Sequence, residues 1–477
     1  MLNNTSQAEG SPNSDSRRLL SEIEIADQKL GFKEIYGVVI LAANNAVAFW
    51  MAFIVVYVNP GDTPHTSMEK DLGLTQTEYG LLSGVTYSLL SALFSIFSGS
   101  LVDKFSRKWT LVIAAFLWSG LTFTQSFATN FVTIIIPRIV MEIALTANQA
   151  SSLSLISDYF NSKYRARACS FYQFGLYVGL GFGSFSIIIT KLIGWRNAFR
   201  VCAGFGGFIA FLTIFISEPQ RGKFNSEQDN QDFKDISLSM SRFEKLKKSL
   251  KIIFTNKICI FLCLSNMVRI FGTSTIGFWA VRFFKSKFPD YQNEYSIFNG
   301  ISLITINLIS LYVGGALGDH YDNKNPAVKS YIVAIGCLIS FPFLLVAFVF
   351  STNFWLSSSL FMLSFLFSES WYGNVLSMIQ NVFPSQLVGS ATAVFLVSGG
   401  ISGACSNLLL GILSDKYHTS KNPKAAGNLL IILVGISYIG SAPLFIISGY
   451  FYKKYILSKS KGEKCPKIVE EEEENEE

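Results

Sequence analysis

Long apolar runs alternate with short polar stretches along most of the chain. Twelve runs are long enough to cross a hydrocarbon layer about 30 Å thick, which takes roughly 20 helical residues. They fall near 36–58, 78–102, 109–128, 131–157, 167–192 and 198–217, and then near 252–283, 295–317, 328–350, 354–380, 387–413 and 427–452. The pattern predicts an all-α integral membrane protein of twelve transmembrane helices in two six-helix bundles. The expected division is an N-terminal tail (1–35), a first bundle (36–217), a charged linker without a spanning run (218–251), a second bundle (252–452) and an acidic tail (453–477).

The two halves echo each other. Gly99-Ser100-Leu101-Val102-Asp103 closes the second run, and Gly315-Ala316-Leu317-Gly318-Asp319 closes the eighth, 216 residues later. Asp158-Tyr159-Phe160-Asn161-Ser162 closes the fourth, and Asn381-Val382-Phe383-Pro384-Ser385 the tenth, 223 residues later. The fifth and eleventh runs are both rich in glycine. Near-constant offsets predict a pseudo-symmetric, parallel repeat about an axis along the membrane normal.

Composition narrows the class. Half of the 477 residues are hydrophobic, 14% are aromatic and only 15% are charged; soluble chains carry about 25% charge. Mean hydropathy is +0.38. These values exclude a disordered chain, a fibrous repeat and an ordinary cytosolic enzyme. The net charge of +6 is spread between the runs and gives no sign of nucleic-acid binding. With the N-terminus inside, 26 of the 39 Lys and Arg fall in inside loops and tails and 10 in outside loops. The positive-inside rule then predicts both termini in the cytosol. The first 35 residues are polar, so no cleavable leader is expected. Seven cysteines with no CxxC spacing read as small apolar packers. The three histidines, His65, His320 and His418, are scattered, so no metal centre and no cofactor are expected. No phosphate-cradling Gly-rich loop and no Ser/His/Asp constellation is present, which argues against ATP drive and against enzymatic chemistry.

Several of these words resemble the major facilitator superfamily. Gly99 to Lys108, with Asp103, Arg107 and Lys108, is similar to its signature loop between the second and third helices. Gly194-Trp195-Arg196-Asn197-Ala198-Phe199 resembles the short motif before its sixth helix. Arg138 followed by Asp158-Tyr159-Phe160, Phe278-Trp279-Ala280, and Gly411-Ile412-Leu413-Ser414-Asp415 resemble the Spinster branch, whose members are thought to move lysolipids or sphingolipids. The resemblance implies the major facilitator fold. Two departures bear on proton coupling. The branch carries an Asp-Arg pair late in its first helix, where this chain has Asn44-Asn45-Ala46-Val47. It also carries a Glu seven residues after the helix-four Arg, where this chain has Leu145 and its nearest acid is Glu142.

Buried charge supplies the remaining candidates. A charge at the centre of a membrane helix costs roughly 2.5–3.5 kcal/mol on insertion scales, so it is expected to face a wet cavity or a partner. Arg138 and Glu142 sit one turn apart on the fourth helix. Arg269 on the seventh and Glu369 on the tenth, with Trp371 and Asn374 after it, form a second candidate pair. These six, with Asn44 and Asn45, are the expected substrate or proton pathway. Gly99, Asp103, Arg107, Lys108 and Asp319 are the expected gating elements. Asp103 follows a helix C-terminus, where a negative charge is unfavourable, so a neighbouring helix N-terminus or a basic side chain should hold it. Arg107 and Lys108 are expected to reach across the gap between the halves.

The expected activity is a secondary active or facilitative transporter that alternates access by rocking two halves. Its solute would be small and amphiphilic or anionic, with a lysolipid or sphingolipid implied by the Spinster resemblance. Membrane lipids and the solute are the expected partners, a proton the candidate coupling ion, and the monomer the expected state. Two alternatives stand beside it: a symporter of an organic anion or a sugar-like solute, and a membrane sensor or scaffold that no longer moves solute. Asp15-Ser16-Arg17-Arg18-Leu19-Leu20 has the form of an acidic dileucine signal, and Arg242 to Lys248 of a basic amphipathic helix; the residence, endolysosomal or plasma membrane, is left open.

Overall fold

The computed structural model describes residues 31–58, 63–95, 105–160, 162–220, 250–322, 324–383, 385–419 and 422–460. Gly99, Asp103, the dileucine-like segment, residues 242–248 and the acidic tail lie outside the described residues, as does the side chain of Asp319. Among the described residues there is no strand.

The first half comprises α1 (Phe32–Tyr57), a short α2 (Met68–Leu72), α3 (Gln76–Gly80), α4 (Arg107–Gln125), α5 (Phe131–Tyr159), α6 (Ser162–Ile193) and α7 (Trp195–Thr213). The second comprises α8 (Lys257–Lys287), α9 (Gln292–Asp322), α10 (Val328–Leu345), α11 (Phe354–Ser368), α12 (Trp371–Val382), α13 (Ser385–Lys416) and α14 (Pro423–Ser460). α3 runs directly into a π-helical stretch, Leu81–Leu90, in the second span. α11 and α12 are two pieces of the tenth. Among the described residues eight helices are by themselves long and apolar enough to cross a membrane. The other four crossings are interrupted, as in α3 and α11–α12, or only 19 residues long with basic residues in their first turns, as in α4 and α7.

Local chemistry explains many of the boundaries. Asn130 and Thr133 form a reciprocal capping box at the start of α5, and Thr75 and Glu78 do the same for α3. Ser106, Asn256 and Asn353 cap α4, α8 and α11 with their side-chain oxygens, satisfying amides that a helix start leaves open. Gly194 separates α6 from α7 at φ 84°, a conformation that L side chains avoid. The motif that follows is tied down at once: Trp195 Nε1 and Arg196 Nη2 both donate to Asp71 Oδ2, each at 2.9 Å. The π stretch has its own cause. Ser83 and Thr86 donate their hydroxyls to the carbonyls of Tyr79 and Leu82, one turn back, at 2.7 and 2.6 Å. Such bonds compete with the backbone ladder.

The repeat is visible in the helices themselves. Phe131–Tyr159 corresponds to Phe354–Val382, and Ser162–Ile193 to Ser385–Lys416; both ends of both elements differ by 223 residues. Within the first half α1 packs on α6 and α4 on α5 and α7; within the second α8 packs on α13 and α14. The halves meet along two seams, α6 against α9 and α3 with its π stretch against α13. Twelve crossings bring both ends of the described chain to one face, here termed the near face. The opposite, far face carries α2, the start of α3 and the end of α13.

Candidate functional site

A cavity of about 400 Å³ lies between the halves, walled by α1 and α6 on one side and by α8, α9, α11, α12 and α13 on the other. Its surface is mostly aromatic and aliphatic. Its polar points are few: Gln173, Tyr177, Asn299, Asn307, Glu369 and Tyr372 among them.

The tenth span breaks at this cavity. α11 ends at Ser368, Glu369 caps it with its N–H still bonded to Phe365 O at 3.1 Å, and α12 begins at Trp371 after Ser370. A helix end inside a membrane strands carbonyl groups that have no water to bond. Arg269 of α8 meets that need: its Nη2 donates to Ser368 O at 2.6 Å and lies 3.3 Å from Glu369 Oε1. Its guanidinium also sits 4.5 Å over the Trp371 ring. Asn374 Nδ2 donates to Ser370 O at 2.8 Å and to Gly314 O of α9 at 3.1 Å, so it ties the break to its neighbour. Glycines allow this closeness. A Cβ on Gly314 would meet Ser370 Cβ at 2.2 Å, and one on Gly336 of α10 would meet Phe367 O at 2.3 Å. Arg269, Glu369, Trp371 and Asn374, singled out separately in sequence, thus converge on one broken helix. Only Glu369 and Trp371 of the four line the cavity; Arg269 is fully buried behind them.

The first-half candidates sit differently. Arg138 and Glu142 are both fully buried. Arg138 donates to the α1 carbonyls of Met51, at 3.2 Å, and Ala52. Both Glu142 oxygens lack a hydrogen-bond partner among the described residues. Asn44 Nδ2 donates to Thr213 Oγ1 at 2.7 Å, and Asn45 Nδ2 to Tyr172 O at 3.0 Å. These amides fasten α1 to α7 and α6 rather than lining the cavity.

The far face is bonded shut. Asp415, in the last turn of α13, accepts from Gln76 N at 3.0 Å, Thr77 N at 2.9 Å and Thr77 Oγ1 at 2.5 Å. A carboxylate at the end of its own helix is unfavourably placed, but at the start of another it meets open amides and the positive end of a dipole. Arg282 of α8 pairs with Glu69 at 2.6 Å, bonds Gln76 Oε1, and stacks 3.4 Å from the Tyr79 ring centroid. Tyr79 Oη donates to Phe278 O at 3.2 Å, and Phe278 stacks on Phe53 across the halves at 5.2 Å. At the other seam Ser184 and Ser296 exchange hydroxyl-to-carbonyl bonds of 2.9 and 2.7 Å, and Lys191 donates to Asn293. Sequence reasoning missed Asp415, Arg282 and Tyr79 as closing residues. The dipole argument applied to Asp103 holds equally for Asp415 and would have found it.

At the near face Arg107 turns into its own half. It bonds Asp158, Ser154 O at 3.2 Å and Pro219 O at 2.8 Å, and its Nε lies 3.7 Å from Glu218. Glu218 in turn caps α4, accepting from Ser106 Oγ at 2.5 Å and Arg107 N at 2.9 Å. Burial pushes the Glu218 carboxyl up, but these hydrogen bonds and the Arg107 charge outweigh it and hold the group below the usual carboxylate range. Lys108 lies 5.8 Å from the ring centroid of Trp109. In this state the bonds of Arg107 therefore consolidate the first half instead of spanning the gap. No cluster of three His, Cys, Asp or Glu suited to a metal occurs among the described residues.

Residues 38–406 match the Major Facilitator Superfamily, and the chain belongs to that family of membrane transporters. It resembles the Spinster branch within it: it is 24% identical to Protein spinster homolog 1 of Xenopus laevis, over 88% of this chain and 82% of the relative. It is also 22% identical to the D-galactonate transporter of Escherichia coli O6:H1, over 84% of this chain and 94% of that one. Among solved structures, a bacterial homologue of the human lysosomal transporter Spinster, inward-facing and unoccupied, matches with a TM-score of 0.69 at 17% identity, over 91% of this chain and 99% of that one. The nucleoside transporter NupG matches with a TM-score of 0.61 at 12% identity, over 88% and 98%. These likenesses bear on the fold.

Proposed function

We propose that this transporter alternates access around the 400 Å³ cavity and carries a small amphiphilic solute of the kind the Spinster resemblance implies, a lysolipid or sphingolipid. The observation that carries this is the cavity itself: a mostly apolar space with one charged pair at a helix break, closed on one face by bonds that are all reversible. With both termini in the cytosol the near face is cytoplasmic, and the latched far face is outer or lumenal. The present state is then the inward-facing one. Transport requires Asp415 to leave the start of α3, and Arg282 to leave Glu69, when the far face opens.

Proton coupling is part of the proposal. Glu142 is the buried acid nearest the position where the branch carries one, and Glu369 is the acid in the cavity wall; either can take up a proton as its surroundings change between states. Flux of candidate solutes into vesicles, with and without a pH gradient, tests the function. Uptake of a lysolipid, accelerated by the gradient, is the expected result. Preference for a sugar acid would instead favour the organic-anion symporter, a reading supported by the D-galactonate and sialic acid transporters among the relatives. Binding without any flux would favour the sensor.

A further inference from the structure

The cavity bears on a point that composition left open, the sign of charge on the solute. Among its described walls Glu369 is the one Asp, Glu, Lys, Arg or His. The basic partner does not compete for the space: Arg269 is fully buried, and its Nη2 is committed to Ser368 O and Glu369 Oε1. Its Nε and Nη1, which have no hydrogen-bond partner among the described residues, are as inaccessible as the rest of the side chain. Glu369 is different. Its side chain is 16% exposed, and one oxygen meets Arg269 while the other has no bonding partner among the described residues. Tyr177, Trp371 and Tyr372 line the same part of the cavity, and Tyr177 lies within electrostatic reach of Glu369. A carboxylate oxygen and aromatic side chains lining one space are the surroundings that attract a quaternary or primary ammonium. An anion would meet the carboxylate first and reach Arg269 only by taking the helix break apart. The other walls include Phe53, Phe278, Leu303 and Phe361, which suit a hydrocarbon body.

We infer that the solute carries an ammonium-type head that lodges on Glu369 among Tyr177, Trp371 and Tyr372, with its apolar body against the phenylalanines. This rests on the reading that the cavity is the transport site. The test uses the full-length protein in lipid nanodiscs and two medium-chain amphiphiles of equal length, an alkyltrimethylammonium and an alkyl phosphate, with binding measured for each and counterflow measured in vesicles. The ammonium compound should bind at least about tenfold more tightly, which is about 1.4 kcal/mol and within the range of a desolvated cation on aromatic faces. Glu369→Gln should erase that preference. Tyr177→Leu, which leaves the ion pair with Arg269 intact, should weaken the ammonium compound several-fold and spare the phosphate. Preference for the phosphate, or an unchanged ratio in both variants, overturns the inference. Ammonium-selective binding without counterflow would leave it standing and count against the transport reading instead.

Discussion

Arg269 does three jobs with one side chain: it closes the open carbonyl end of α11, pairs with one oxygen of Glu369 and packs on Trp371. Removing one member of a buried pair leaves the other uncompensated, at about 3–5 kcal/mol. Arg269→Met should therefore lower the melting temperature sharply, whereas Arg269→Met with Glu369→Gln should recover much of the loss; circular dichroism melts in detergent would show it. Glu142 has no hydrogen-bond partner among the described residues. Glu142→Gln should leave the melting temperature nearly unchanged and flatten the pH dependence of uptake, and a wild-type pH profile in vesicles would remove Glu142 from the proton pathway. Glu218 behaves in the opposite way. Its carboxyl is held below the usual range, so the stability it adds is present above the unfolded-state value and disappears as pH falls through the folded-state one. Acidification should thus destabilise wild type more than Glu218→Gln, as read by melting temperature across a pH series.

The elements show which features the amino-acid pattern can carry. Apolar runs and capped helix starts are local, and they are legible because hydrophobic length and Asn or Ser caps act within a few residues. The break between α11 and α12 is not. Ser368-Glu369-Ser370 holds neither Gly nor Pro, and the interruption is stabilised from outside by Arg269, Gly314 and Gly336 on three other helices. The π stretch is likewise hidden, since its hydroxyl-rich sequence reads as an ordinary span until Ser83 and Thr86 are seen to bond back into the turn. The site was half legible for the same reason. The types Arg and Glu announce themselves in an apolar run, but only packing decides that Glu369 lines a cavity while Arg138 and Glu142 lie inside the first half. Replacing the tight contact at Gly336 with Val should straighten or displace the break. The expected outcome is a several-fold loss of solute affinity with the protein still folded, checked by binding in nanodiscs.

For the molecule as a whole, the two seams set how far one half can turn against the other. Along the π stretch and α13 the elements nearly touch: a Cβ on Gly84 would fall 2.2 Å from Asn407 Cβ, and one on Gly400 2.6 Å from Ser88 O. Along α6 and α9 the Ser184–Ser296 exchange sits beside a similar approach at Gly181 and Gly300. Charge-assisted bonds contribute about 1.5–3 kcal/mol each. Asp415→Ala should therefore shift the population toward the far-open form by at least tenfold. Labels placed on the loops at α2 and after α13 would report it as a longer distance in pulsed electron spin measurements; an unchanged distance distribution would show that the latch carries no weight.

Two of the three contacts at Asp415 are to main-chain amides, at Gln76 and Thr77. An acid that grips amides does not care which side chain its quarry wears. Most exchanges at position 76 would leave those two bonds in place, although they would cost the separate tie to Arg282. Adding or deleting a single residue inside α3, between Thr77 and Gly80, would do the reverse: it would rotate the start of α3 by about 100° against the span that follows, carry both amides off the carboxylate, and unlock the door without touching a charge.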